Sequence, residues 1–341
     1  MTSILIATSD RSAGGIQRAL RDQLSLLQQH APYDITILAP ESDFLTCAQD
    51  NQVPNICLSD WQRLVWRHLP VATRLISDVP DTRFALCHNG FMAKGLRRHA
   101  STVIGICHND KPQQFHHCHK LVCLTQDGID KALAAGWPHD RLALIPHFHT
   151  LPKTPLKTPA KPSPNQPLII GAAGRMVAKK NLSLFIKIAA IVKQTHPRIQ
   201  FELGGTGPLA AEIKALNHAH GAPVTLLGWT DFDSFLSRLS VMVIPSYDEP
   251  FGYVYPEAMG AGCAILSSPT NGARHCLDDG RTAPVFGFDD PVPYAKEICR
   301  LADDPDALWQ LQQACYDRAR HPVFDQKTAS ANWQALLDSP L

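Results

Sequence analysis

Short apolar runs rich in β-branched and aliphatic residues recur at positions 3–8, 35–39, 56–58, 84–87, 103–107, 121–124 and 142–145. Runs of this length between turn residues predict buried strands, and most of the intervening segments are long enough for helices. One of these helices is predicted to open at the glycine turn Gly14-Gly15 and to continue to about His30. The rhythm breaks over 149–166, where prolines recur with Lys153, Lys157 and Lys161 and no acid intervenes. Such a stretch predicts a linker. From 167 the alternation restarts, with apolar runs at 168–171, 201–203, 224–227, 241–244, 264–266 and 284–286. Helices are predicted around 292–301 and 307–319, and Ala329, Trp333 and Leu336 repeat at roughly helical spacing over 328–337. The expectation is an α/β protein with domains at 1–148 and 167–324. Each is a parallel, doubly wound sheet that would bind ligands at the carboxyl ends of its strands.

A chain of 341 residues with 45% apolar positions can supply two cores. A net charge of +1 provides no field for a polyanion, so nucleic acid is not an expected partner. The ten cysteines are scattered, and Cys57, Cys87, Cys107, Cys123 and Cys263 lie in or beside predicted strands, as reduced buried thiols do. No run reaches membrane-span length, and Ser3-Ile4-Leu5-Ile6-Ala7 lacks the charged start of a signal peptide. A cytoplasmic protein is expected, in which the N-glycosylation pattern at Asn181-Leu182-Ser183 would be silent.

The most informative stretch is 245–262, which contains Ser246, Glu249-Pro250-Phe251-Gly252-Tyr253-Val254 and Pro256-Glu257-Ala258-Met259 between two predicted strands. A helix opening near Gly252 would present unpaired amides, and Pro256 in its first turn removes one that would be orphaned anyway. Gly252 would let a phosphate or sugar oxygen approach the backbone. Glu249 and Glu257 stand 8 positions apart, so each could take the hydroxyls of a different ring. After the strand at 168–171, Gly174-Arg175 and Lys179-Lys180 place cations near a strand end. Arg175 and Lys180 suit a diphosphate leaving group, on which charge builds as a glycosidic bond breaks.

This constellation resembles the E-x7-E signature of retaining glycosyltransferases of family 4, which have the GT-B fold. The resemblance implies two Rossmann-like domains facing each other across a cleft, with the last helix, about 325–341, packing back on the first domain. It implies that Glu249 lies by the donor sugar, that the main chain of Phe251, Gly252, Tyr253 and Val254 lies by sugar and phosphate, and that Glu257 holds the ribose. The family's Gly-Arg…Lys motif transfers onto Arg175 and Lys180, with Lys179 as a stand-in for Lys180. Gly228-Trp229 falls where family members hold the base, and Gly14-Gly15 matches a loop that touches donor phosphate or acceptor. His108 resembles a histidine kept beside the donor sugar, while His88 is equally well a structural residue. The implied donor is a nucleotide-diphosphate sugar, UDP- or GDP-linked, and the implied acceptor is a sugar, glycan or lipid-linked species. No other cofactor is implied. The segment Pro269-Thr270-Asn271-Gly272-Ala273-Arg274-His275 departs from the family's Gly-Gly-x-x-Glu, and Ala283 replaces a second glycine.

Other motifs invite chemistry that their setting argues against. Asp231-Phe232-Asp233 spells D-x-D, but it precedes Phe235, Leu236 and Leu239 as a helix cap does. Consecutive residues such as His116-His117-Cys118-His119 rarely converge on one ion, so no metal is expected. Gly204-Gly205-Thr206-Gly207-Pro208 resembles a family turn and reads as structural. Trp61, Leu64, Val65, Trp66 and Leu69 with Arg63, Arg67 and His68 fit either an ordinary packed helix or one touching the inner face of a membrane. Two other readings of the chain are a nucleotide-sugar epimerase of GT-B architecture and a non-catalytic nucleotide-sugar-binding protein. A nicotinamide enzyme is disfavoured, since no G-x-G-x-x-G follows a strand.

Overall fold

The computed structural model describes residues 2–11, 14–30, 33–69, 79–149 and 167–339, so the predicted linker, His149 apart, lies outside the described residues. The chain divides into two compact units, Met1–Phe148 with Asp325–Leu341, and His149–Phe324.

The first unit takes up strands β1 (Thr2–Ala7), β2 (Tyr33–Pro40), β3 (Asn55–Leu58), β4 (Thr82–Cys87), β5 (Ala100–Cys107), β6 (Lys120–Cys123) and β7 (Leu142–Leu144). They form one sheet in the order β3-β2-β1-β4-β5-β6-β7. Every pairing is parallel, with Ile4 opposite Ile35 on one side and Phe84 on the other. A strand covered on both faces must be apolar throughout, and Ile4 to Ala7 are fully buried. The helices are α1 (Gly15–His30), α2 (Asp43–Asp50), α3 (Asp60–His68), α4 (Ala93–Leu96) and α5 (Gln126–Ala134). Side-chain oxygens of Ser42, Ser59 and Thr125 cap α2, α3 and α5, and Ser59 with Gln62 completes a capping box.

The second unit contains β8 (Ile169–Ala173), β9 (Gln200–Gly204), β10 (Thr225–Gly228), β11 (Val241–Ile244) and β12 (Ala264–Ser267). This second parallel sheet has the order β10-β9-β8-β11-β12. Its helices are α6 (Leu182–Thr195), α7 (Ala210–Ala219), α8 (Phe232–Leu236), α9 (Val254–Gly260), α10 (Asn271–Cys276), α11 (Pro291–Asp303) and α12 (Pro305–Ala319). The core joins Phe185 of α6, Phe201 and Leu203 of β9, Val243 of β11 and Tyr294 of α11. The last helix, α13 (Gln326–Asp338), packs on α1 in the first unit, where Gln326 Nε2 donates to Gln29 Oε1 at 2.8 Å. The buried Lys120 ammonium donates to the carbonyl and hydroxyl of Ser339 at 3.0 and 2.6 Å, and its burial lowers its pKa.

Two local expectations are corrected. The run at 284–286 makes only an isolated parallel bridge between Val285 and Ser267, because Pro284 has no N–H for a ladder. Cys57 is exposed rather than buried, since β3 is an edge strand and this position faces outward; Cys87, Cys107, Cys123 and Cys263 are buried. The Asp231 carboxylate accepts from Ser234 N at 2.9 Å and so caps α8. Among the described residues, no helix is long and apolar enough to cross a membrane.

Helix α3 turns Trp66 into the core, whereas Trp61, Leu64 and Leu69 are exposed. Trp66→Ala should therefore lower unfolding stability by about 3–5 kcal/mol. Trp61→Ala should stay within roughly 0.5 kcal/mol, as exposed substitutions do. Denaturant midpoints of the two variants check this, and equal shifts would refute the assignment of the inward face.

Candidate functional site

In the second unit the chain moves outward from β8 through β9 to β10, then returns to lay β11 on the other side of β8. Loops that leave such a pair diverge and open a crevice at the strands' carboxyl ends. The loop after β8 carries Gly174, Arg175, Lys179 and Lys180, and the loop after β11 carries Ser246 to Gly252.

These two loops are tied together. Tyr247 N–H donates to the Lys179 carbonyl at 2.8 Å, and Lys180 Nζ contacts the Glu249 carboxylate directly. Glu249 is only 6% exposed, so its charge needs a partner and further hydrogen bonds. Ser246 Oγ donates to the same Glu249 Oε1 at 2.9 Å, and Gly272 N–H donates to the Glu249 carbonyl at 2.7 Å. An ammonium has three N–H donors, so pairing with Glu249 leaves Lys180 capacity for an anion. Arg175 is exposed, with no ion-pair partner among the described residues. Asn181 takes a left-handed backbone (φ +47°), is buried, and donates from Nδ2 to the Phe288 carbonyl at 2.7 Å. Its amide is thereby committed to anchoring the end of the β8 loop.

At the start of α9, Gly252 has φ +76°, and a Cβ there would lie 2.9 Å from the Tyr255 ring. Only glycine fits both constraints. The rings of Phe251 and Tyr253 are buried and meet edge to face at 5.7 Å, so what they offer a ligand is main chain. Tyr255 is fully buried, and its hydroxyl bonds Ser267 Oγ at 2.8 Å and Thr270 Oγ1 at 3.1 Å. Val254 and Glu257 are half-buried on α9.

The turn after β9 laces against the β8 loop. Gly174 N–H donates to the Gly204 carbonyl at 3.1 Å, Met176 N–H to the Thr206 carbonyl at 2.8 Å, and Gly205 N–H to the Gly228 carbonyl at 2.6 Å. Beside Gly228 (φ +68°), Trp229 is 81% exposed. Thus Arg175, Lys180, Glu249 and the stretch from Phe251 to Glu257 share one end of one sheet, with Gly228-Trp229 at the neighbouring strand end.

Gly14, Gly15 and His108 belong to the first unit. Exposed Gly14 precedes α1, which begins at Gly15. His88 follows β4, His108 follows β5, and His88 Nδ1 lies 2.8 Å from His108 Nε2. His88 Nε2 lies 2.8 Å from Gln23 Oε1, and the His147 ring stacks on His108 with centroids 5.4 Å apart. Burial pushes His108 down to about 4; burial first, then the neighbouring histidines, holds His88 well below the usual imidazole range. These rings are neutral at pH 7. His119 is committed elsewhere, since its Nδ1 accepts from Val103 N–H at 2.8 Å.

The strand orders and crossovers define the GT-B class of fold, and the chain aligns with GT-B glycosyltransferases over its whole length. It is similar to Anabaena HepE in complex with UDP and glucose (TM-score 0.78, 15% identity, 100% of both chains). It is also similar to sucrose-phosphate synthase from Thermosynechococcus elongatus (TM-score 0.74, 18% identity, 98% of both chains). Residues 167–304 match the family model described as Glycosyl transferases group 1. In sequence, the chain is 29% identical over 221 residues to the lipopolysaccharide core biosynthesis glycosyltransferase LpsD of Rhizobium meliloti, covering 64% of this chain and 63% of LpsD. It is 28% identical over 185 residues to the D-inositol 3-phosphate glycosyltransferase of Streptomyces avermitilis, covering 49% and 39%. The chain thus spans less than two thirds of the length of these relatives.

Sequence reading overlooked His147, Gln23 and Thr270. His147 follows the β7 run as His88 and His108 follow theirs, and Gln23 interrupts the apolar stripe of Leu20, Leu24 and Leu27, so both left a trace. Thr270, N-cap of α10 and partner of Tyr255, left none.

A Cβ on Gly205 (φ +122°) would lie 2.0 Å from the Gly174 carbonyl oxygen, whereas one on Gly221 (φ +78°) would meet nothing within 4 Å. Gly221→Ala should therefore cost about 1–2 kcal/mol from backbone strain alone. Gly205→Ala must also displace backbone, and should exceed ~3 kcal/mol. Urea unfolding of both variants measures the difference; equal losses would contradict the lacing of the two loops.

Proposed function

We propose that the protein is a retaining glycosyltransferase of family 4, moving a sugar from a nucleotide-diphosphate sugar to a glycan, lipid or small-molecule acceptor. The observation that carries this reading is the Lys180–Glu249 contact at the β8/β11 switch point, within the segment matching the glycosyl transferases group 1 model. UDP and glucose in the Anabaena HepE complex favour a UDP-sugar donor. The lipopolysaccharide core assignment of LpsD favours a glycan or lipid-linked acceptor.

In this reading Arg175 and Lys180 receive the diphosphate, helped by main-chain N–H groups from Gly252 to Val254. As the glycosidic bond lengthens, negative charge builds on the departing phosphate and positive charge on the sugar ring. Fixed cations stabilise that leaving group without reorganisation, which lowers the barrier. No metal is required where two cations do this work. Glu249, held by Lys180 and Ser246, faces the sugar, and Glu257 takes the ribose hydroxyls. Because Glu249 is engaged in an ion pair, attack by the acceptor on the same face, with the leaving phosphate accepting its proton, is preferred to a covalent intermediate. Gly14 and Gly15 allow close approach of donor phosphate or acceptor, and His108 bonds a sugar hydroxyl. Gly228 and Trp229 flank the base.

The protein would work in the cytoplasm. The exposed Trp61, Leu64 and Leu69 on and after α3, with Arg67 and His68 beside them, support a peripheral contact with the inner membrane face.

Arg175→Ala and Lys180→Ala should each lower kcat/KM for sugar transfer by about 10²-fold or more. Donor turnover near the wild-type level in both variants would remove the mechanism. Thermal-shift titration with UDP-, GDP- and ADP-glucose should show stabilisation by one base above the others, and no shift with any of them would count against a nucleotide-sugar site.

A further inference from the structure

Gln23 lies on the buried face of α1 and is 6% exposed, beside Leu20, Leu24 and Leu27 and a turn or two on from the buried Gln17. Burying an amide among leucines requires hydrogen bonds in return. Its oxygen faces His88 Nε2 at 2.8 Å. An amide oxygen can only accept, so His88 Nε2 must carry a proton. A neutral His88 is then bare at Nδ1. That atom lies 2.8 Å from His108 Nε2, which must therefore be the donor. The chain of bonds thus has one direction, from His108 through His88 to Gln23. The ring planes are nearly parallel: His88 and His108 centroids lie 5.0 Å apart at 20°, edge to edge as an in-plane hydrogen bond requires, and His108 and His147 5.4 Å apart at 19°.

We propose that Gln23 and His88 are positioning residues that hold His108 as its Nε2–H tautomer, leaving Nδ1 as a hydrogen-bond acceptor for the donor substrate. The inference rests on the reading of His108 as a contact to the donor sugar. Both imidazoles stay neutral because their desolvation disfavours the charged form, which keeps the direction of the chain unique.

The test is NMR of the full chain with 15N-labelled histidine, in which two-bond couplings report which ring nitrogen is protonated. The wild type is expected to show His108 as a single Nε2–H species. Gln23→Met and His88→Phe should each lose that single-tautomer signature, and His88→Gln, whose amide oxygen can accept from His108, should restore it. Finding His108 protonated at Nδ1, or exchanging between tautomers, in the wild type overturns the proposal. So does an unchanged tautomer in His88→Phe. Hydrolysis of UDP-glucose by His108→Ala separates the underlying reading: undiminished turnover removes the sugar contact, while the tautomer stands or falls on the spectrum alone.

Discussion

A carboxylate shut away from water beside a lysine governs the second half of this chain. Glu249 is nearly inaccessible, and an unpaired charge in such a place would be destabilising by several kcal/mol, about 3–5 when one partner of a buried pair is removed. Lys180 and Ser246 meet that requirement, and in doing so they bind the loop after β8 to the loop after β11. Main-chain bonds from Tyr247 to Lys179 and from Gly272 to Glu249 hold the same two loops in register. The result is a crevice end whose charges are fixed before any ligand arrives.

Fixing charged loops this tightly demands close approach of backbone to backbone. Glycine supplies it where a Cβ would strike a carbonyl: Gly205 against Gly174, and Gly272 against the Phe251 oxygen at 2.2 Å. The departure at Asn271-Gly272 from the paired glycines of the family pattern keeps the glycine that this packing needs. Thr270, beside it, caps α10 and takes part in the Tyr255 hydrogen bonds.

The two units share the logic of their strand order but differ in the chemistry at their strand ends. The second presents ions, Lys180 against Glu249 and an exposed Arg175. The first presents neutral imidazoles, joined by hydrogen bonds and kept uncharged by burial. Charged groups suit a group on which charge develops, and neutral donors and acceptors suit hydroxyls. Ser9 N–H bonds Asn89 Oδ1 at 2.6 Å and Arg63 bonds the Ser9 carbonyl at 2.6 Å, so the entry to the glycine loop of the first unit is also pinned from two directions.

Local patterning alone was enough to locate twelve strands, because a strand buried on both faces must be apolar along its length, as Ile4 to Ala7 and Val241 to Ile244 are. It misled at 284–286, where a proline blocks the ladder, and at Cys57, because nothing local distinguishes an edge strand from a central one. Residue type and spacing likewise singled out Lys180 and Glu249. That one contacts the other across 69 positions of sequence is a property of strand order, which periodicity does not encode. Gln23, His88 and His108 make the same point more sharply. Their place at strand ends marked His88 and His108 in the sequence, but only the tertiary structure brings Gln23 of α1 within 2.8 Å of His88 and His88 within 2.8 Å of His108.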